Sequence, residues 1–425
     1  MRTRSPLSPL RLLPFAACVL AACGPDAPPL APANATTLRA GAANATTLAS
    51  PAWQTLAATL VVQANFNPIV AGHAYPLLGV AEYRAVLRVE ADHDDWTEAD
   101  GPESGNGIGR GGRSRLESDR GAVAGASAVV LTYLFPTRAA QIEALVTEQA
   151  NAGPGQVHPA FAAGEAIGRA VGAEVVARAM GDRFGTLANP APTPGPGVWI
   201  SNTTPYTVAG GQLPGVRPWF LTSANQFRPG PPPAYGSPEF LSALAEIRQL
   251  SETRTAEQSG IATYWALNNG TPTASGFWLQ VATSKIIARD DISERRATHL
   301  YAVMSAAMFD AIIGCWDAKL TYWLIRPWQA DARIAVLAAV GKPNHPSYPS
   351  GHSCVSSSGA AVLSAFFPSD RASLDAMVTE AGLSRMYGGI HYRFDCETGQ
   401  VLGRNVAALA LAADASGESV LTSAW

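Results

Sequence analysis

The chain is poor in charge: only 15% of its 425 residues are Asp, Glu, Lys or Arg, and its formal net charge is −3. With 30 basic residues against 33 acidic ones, it has no cationic surplus to track a nucleic-acid backbone, and nucleic acid is excluded as a partner. Past the N-terminus it has no apolar run near the roughly 20 residues that a membrane-spanning helix needs, which argues against an integral membrane protein. Cysteine is scarce. Three lie beyond Cys23, namely Cys315, Cys354 and Cys396, so at most one internal disulfide can form among them, and the pairing stays open. Alternating strand patterns are rare too. What is abundant is apolar residue, 47% of the chain, enough for a large core and incompatible with disorder over the bulk.

The N-terminus reads as an export signal: Arg2, Arg4 and Arg11 precede an apolar stretch from Leu12 to Ala22. Its end, Leu20-Ala21-Ala22-Cys23-Gly24, resembles the lipobox of bacterial lipoproteins. The resemblance implies that residues 1–22 are removed and that Cys23 is acylated, anchoring an exported body to a membrane facing the periplasm or cell surface. Residues 23–52, rich in Pro, Ala and Thr and carrying ANATTL at 33–38 and 43–48, read as a flexible tether.

Apolar spacing near 3.6 begins around Pro76 and recurs over 123–134, 139–149 and 158–183. The intervening GPESGNGIGRGGR, residues 101–113, lacks the strand and Lys-Ser/Thr ending of a phosphate loop and reads as a mobile loop. Residues 185–236 are dense in Pro, Gly and aromatics, which predicts an ordered, irregular cover. Further helices are predicted near 238–250, 256–268, 274–289, 293–325, 331–340, 352–366, 370–387 and 398–413. The expected class is all-α: two packed four-helix-bundle-like halves, 53–236 and 237–425, with long irregular covering loops.

Chemistry concentrates in three blocks of the second half. Lys319 and Arg326 are seven residues apart, which on one helix puts both cations on one face with Cα atoms roughly 10 Å apart. Pro327 follows and turns Arg326 out of the helix. His345-Pro-Ser-Tyr-Pro-Ser350-Gly351-His352 then opens a small-residue helix, bringing a hydroxyl, an N–H and a positive helix end to one point. The third block holds Ser384, Arg385, His391 and Asp395. One turn apart if a helix continues, Asp395 holds one nitrogen of His391 and leaves the other to face a ligand. Singly, each block is ordinary; a lone His/Asp pair is usually structural. In this order they describe an oxyanion site.

Lys-x6-Arg-Pro, Pro-Ser-Gly-His and Ser-Arg-x5-His-x3-Asp resemble the signature shared by vanadium-dependent haloperoxidases and the type 2 phosphatidic acid phosphatase superfamily. The FRPGPPP segment at 227–233 and the approach Trp316-Asp317-Ala318-Lys319 look like exported bacterial haloperoxidase relatives. The resemblance implies a vanadate cofactor, a site that phosphate also fits, bound by Lys319, Arg326, Ser350, Gly351, His352, Arg385 and His391. It implies His391 as axial vanadium ligand or phosphorus nucleophile, His352 as acid/base, and Lys319 as the group that polarises bound peroxide. Trp316 and His345 stand where haloperoxidases carry halide-pocket residues, with histidine at the latter resembling bromide-oxidising members. The implied activity is oxidation of bromide or iodide by hydrogen peroxide, the partners being peroxide, halide and small organic acceptors; a homodimer is left open. Two alternatives remain: an exported acid phosphatase working through a phosphohistidine, and a non-catalytic oxyanion-binding lipoprotein. His73, His93, His158 and His299 are assigned structural or solvent roles, and Trp219, Phe220 and Phe227 packing ones.

Overall fold

The computed structural model describes residues 48–97, 110–152, 157–417 and 419–423. The export signal, Cys23, most of the tether and residues 101–109 of the glycine-rich segment lie outside the described residues. Thirteen α-helices are present among the described residues: α1 Ser50–Gln63, α2 Pro68–Thr97, α3 Arg110–Leu134, α4 Ala139–Ala150, α5 Pro159–Gly181, α6 Pro238–Glu252, α7 Ala256–Tyr264, α8 Thr273–Ile287, α9 Glu294–Tyr322, α10 Pro327–Ala330, α11 Gly351–Phe366, α12 Arg371–Tyr387 and α13 Arg393–Ala415. The only extended pairing among them is an isolated antiparallel bridge between Val198 and Leu324. The fold is all-α, as the spacing of apolar residues predicts.

Helix α9 is the spine. Ser293 Oγ caps its start by accepting from the Arg296 N–H at 3.2 Å, and nearly every residue from Leu300 to Lys319 is buried. By length and composition it passes for a membrane span, yet its apolar window is 94% buried within the body, so its hydrophobicity is that of a core helix. It packs on α2 from the first half and on α11 and α13 from the second, and the larger apolar cluster runs from Ala49 to Leu421, drawing on both halves. The closest packing joins α3 to α5. A Cβ at Gly121 would fall 2.0 Å from the Phe161 carbonyl oxygen, and one at Gly164 2.0 Å from that of Ser118, so glycine alone permits that approach.

The helices depart from the apolar pattern in three places. Residues 331–340 form turns rather than a helix. Their carbonyls are taken by side chains: Arg254 Nη2 donates to Ala335 O at 2.9 Å, and Asn268 Nδ2 to Ala339 O and Val340 O at 3.2 and 3.0 Å. Those contacts, and burial of Ile334 and Val340 in a second apolar cluster, outweigh local propensity. Helix α9 stops at Tyr322 because Trp323 adopts left-handed backbone, φ 50°, its carbonyl accepting from the Trp199 N–H at 2.7 Å. Helix α1 begins at Ser50, inside what reads as tether; Glu294 fixes its start by accepting from the N–H groups of Ala49 and Ser50 at 2.6 and 2.9 Å.

Residues 185–236 form the expected ordered, irregular cover. Buried Asp310 on α9 anchors it, accepting from the N–H groups of Trp219, Phe220 and Leu221 at 2.9, 2.6 and 2.9 Å. Arg178 lies 3.6 Å from the centroid of the Trp219 ring. Farther along, Arg228 grips Asp317 with two hydrogen bonds of 2.6 and 2.8 Å, and Tyr322 and Tyr348 donate to Pro229 O and Gly230 O at 2.6 and 2.8 Å. This strap joins the end of α9 to the loop before α11.

Candidate active site

Helix ends bring the three blocks together. Lys319 lies in the last turn of α9, Arg326 at the start of α10, Ser350 at the N-cap of α11 with Gly351 and His352 in its first turn, Arg385 in the last turn of α12, and Asp395 in the first turn of α13. His391 sits in the short connection before α13. Its spacing to Asp395 therefore does not follow one continuous helix, as the sequence suggested. The carboxylate folds back from α13 as part of that helix's N-terminal cap, accepting from the Tyr392 N–H at 3.1 Å. Arg326 likewise reaches the site from extended backbone, φ −80° and ψ 153°, and not from the face of α9.

Arg326 is the hub. Its Nε donates to His345 O at 3.0 Å, Nη1 to Ile390 O at 2.7 Å and to His391 Nε2 at 3.0 Å, and Nη2 to His345 Nδ1 at 3.1 Å. A guanidinium only donates, so His391 Nε2 and His345 Nδ1 must both be lone-pair acceptors. The proton of His391 then sits on Nδ1, which donates to Asp395 Oδ2 at 2.8 Å. The proton of neutral His345 sits on Nε2, so the 3.3 Å approach of its Nδ1 to Pro346 O is not a hydrogen bond.

Asp395 Oδ2 also accepts from the Ser347 hydroxyl, while Oδ1 is buried without a hydrogen-bond partner among the described residues. Burial raises this carboxyl to about 6, against the pull of Ser347, Lys319 and Arg326. Ser347 stands inside the second block, but nothing in its spacing marks it as a partner of Asp395.

Lys319 spends all three of its donors on one turn, giving hydrogen bonds to Pro346 O at 2.9 Å, Ser347 O at 2.8 Å and Pro349 O. It fastens the turn that carries Ser350 and lies behind the cavity wall. Ser350 is also fully buried, its Oγ accepting from the Ser353 N–H at 3.4 Å. Arg385 donates from Nε to Ser384 Oγ at 2.9 Å and from Nη2 to Ala262 O at 3.2 Å, leaving Nη1 uncommitted. Burial weakens the proton affinity of all three cations, lowering Lys319 to about 8, Arg326 to about 10 and Arg385 to about 9. An anion among them relieves that cost.

Burial, reinforced by neighbouring cations, holds three histidines well below their ordinary range: Arg326 and Lys319 act on His345 and His391, and Arg385 on His352, while the backbone of Trp265 and Ala266 pulls His352 the other way. All three are neutral near pH 7. His352 Nε2 is buried with no hydrogen-bond partner among the described residues.

A cavity of about 370 Å³ opens onto this assembly, with Gly351, His352, Arg385 and His391 on its floor. Trp316 and His345 form one wall, ring centroids 4.9 Å apart, the indole N–H donating to Ala209 O at 2.8 Å. Trp219, Phe220 and Phe227 are absent from the lining and pack in the core. His73 pairs with Asp182 at 2.6 Å, His299 with Asp414 at 2.8 Å, and His158 caps α5; the side chain of His93 lies outside the described residues. Cys315, Cys354 and Cys396 are free, buried thiols. No His, Cys, Asp and Glu cluster suited to a simple metal cation occurs among the described residues, and the donors gathered here suit an oxyanion instead.

The sequence model of the PAP2 superfamily matches residues 297–415, spanning all three blocks. Those residues are a PAP2 superfamily domain. Among solved structures the chain is similar to the first bacterial vanadium-dependent iodoperoxidase, with a TM-score of 0.69 and 25% identity over 85% of this chain and 95% of that one. It also shares its fold with bacterial vanadium-dependent chloroperoxidase. The apo-type structure matches at TM-score 0.63 and 15% identity over 81% of this chain and 94% of that one. The holo-type matches at 0.57 and 16% over 87% and 94%. A search of curated proteins gives no match. The PAP2 domain thus contains every residue of the cradle, and the helices before it complete the cavity.

Proposed function

We propose that this protein is a vanadate-dependent haloperoxidase that oxidises bromide or iodide with hydrogen peroxide. The observation that carries the reading is the fixed tautomer of His391: Arg326 on Nε2 and Asp395 on Nδ1 hold a neutral imidazole whose lone pair belongs to the cationic cradle. The donor set fits vanadate, since Arg385 retains an uncommitted N–H, His352 Nε2 is buried without a partner, and Gly351 begins a helix whose positive end faces the cavity. The similarity to an iodoperoxidase structure supports the same assignment.

Vanadate supplies, when bound, a Lewis-acidic centre that activates peroxide toward halide. Arg385 and the Gly351 N–H, which line the cavity, would bind its oxygens, each charge-assisted bond contributing about 1.5–3 kcal/mol, and Arg326 could join them with the N–H it now gives to His391. Lys319 and Ser350 keep the turn before α11 in shape. His391, oriented by Asp395, would hold vanadate through the Nε2 lone pair that now accepts from Arg326. His352, neutral near pH 7, would accept and return a proton at its unpartnered Nε2. Trp316 and His345 wall the halide side, with the His345 Nε2–H available to the anion. We place the body outside the cytoplasm, tethered through acylated Cys23.

The same neutral His391 favours a second reading, in which Nε2 attacks the phosphorus of a phosphate monoester, the P–O bond to the alcohol breaks and water then cleaves the P–N bond to release phosphate. One pair of assays decides. Purified protein given vanadate, peroxide and bromide or iodide should halogenate an organic acceptor only when vanadate is present. Hydrolysis of a chromogenic phosphate ester, inhibited by vanadate and without halogenation, would overturn the peroxidase in favour of the phosphatase, and inactivity in both assays would overturn both.

A further inference from the structure

The cavity wall has a one-sided charge distribution: among the described residues lining it, two are permanent cations, Arg385 at the floor and Lys342 at the rim, and none is a carboxylate. The chain as a whole is acidic, at −3, so an approaching anion meets a repulsive average field and needs local attraction at the entrance. Of the lysines, Lys285 is paired with Asp370 at 2.7 Å and Lys319 is spent on three carbonyls. Lys342 is exposed, with no acidic partner among the described residues.

Its loop is also held more firmly than an exposed turn requires. Asn202 Nδ2 donates to Lys342 O and Pro343 O at 3.1 and 3.3 Å, Asn268 Nδ2 to Val340 O at 3.0 Å, and Asn344 O accepts from the Ala209 N–H at 2.9 Å. Gly341 supplies the left-handed backbone, φ 72°, that turns the chain there. Three residues on, the same loop becomes the His345 wall.

We propose that Lys342 is the entry cation of the cavity, a specificity-determining residue that draws anionic reactants to the mouth and discriminates against cationic ones without touching the bound oxyanion. The proposal rests on the reading of the cavity as an oxyanion site, but holds for vanadate, halide and phosphate ester alike. A charge of this kind acts on the encounter and so on the association rate, leaving the dissociation rate alone.

The test uses vanadate alone as probe, with binding to the purified exported chain followed by stopped flow at several ionic strengths. At low salt the association rate should fall about two- to threefold in Lys342→Ala and about five- to tenfold in Lys342→Glu, as expected for removing or reversing one solvent-screened charge at the mouth. It should return to the wild-type value in Lys342→Arg, and the differences should vanish near 1 M salt, where screening is nearly complete. Dissociation rates should be the same throughout. Association rates indifferent to residue 342, or an effect confined to dissociation, would overturn the proposal while leaving the oxyanion site intact. Failure of the wild-type chain to bind vanadate would overturn the oxyanion reading and the proposal with it.

Discussion

Asp395 allows the His391 assignment to be tested in a graded way, because one oxygen does all of its work. Oδ2 accepts from His391 Nδ1, Ser347 Oγ and the Tyr392 N–H, while Oδ1 is buried with no partner. In Asp395→Asn the amide oxygen takes the place of Oδ2 and keeps all three bonds, so the tautomer survives while the charge is lost and an amide NH2 replaces the partnerless Oδ1. A charge-assisted hydrogen bond contributes about 1.5–3 kcal/mol and a neutral one about 0.5–1.5, so this change should weaken vanadate retention about tenfold. Asp395→Ala removes the acceptor from three buried donors and should weaken it a hundredfold or more. Vanadium-51 NMR or equilibrium dialysis reads both.

The pH dependence sharpens the comparison. Burial raises Asp395 to about 6, so the carboxylate is charged above that pH and neutral below it. The advantage of Asp over Asn should therefore be full at pH 8 and disappear as the pH falls through 6. Equal losses in the Asn and Ala variants, or an Asp–Asn gap that persists at pH 5, would refute the argument that Asp395 acts by orienting His391 and by its own negative charge.

Further outcomes follow from other contacts. His391→Ala should abolish vanadate retention and, by taking one partner each from Arg326 and Asp395, lower the melting temperature less than Lys319→Ala, which strands three buried carbonyls; calorimetry beside a binding assay separates them. Asp310→Ala takes the acceptor from three backbone N–H groups of the cover and should cost about 3 kcal/mol or more of unfolding free energy in urea titration. Gly403→Ala should cost about 1–3 kcal/mol, because its Cβ would lie 2.2 Å from both the Cys354 carbonyl oxygen and Ser357 Oγ. A variant as stable as wild type would show that α11 and α13 separate freely.

Residue types and their order carried a great deal on their own. Apolar spacing of 3.6 identified most helices, since burial of one face is a local, periodic demand on sequence. The three blocks that the fold gathers at converging helix ends were legible too, because Lys319, Arg326, Ser350, Arg385 and His391 stand in a distinctive order along the chain. Tertiary contacts decided the rest. Whether 331–340 coils into a helix depends on Arg254 and Asn268, some 70 to 80 residues away, competing for its carbonyls. Which nitrogen of His391 keeps its proton depends on Arg326 arriving from beyond the end of α9, and that Lys319 fastens a turn depends on where three carbonyls happen to converge. Periodicity and motif are properties of neighbours along the chain, whereas a hydrogen bond is made by whichever donor and acceptor the fold leaves facing each other.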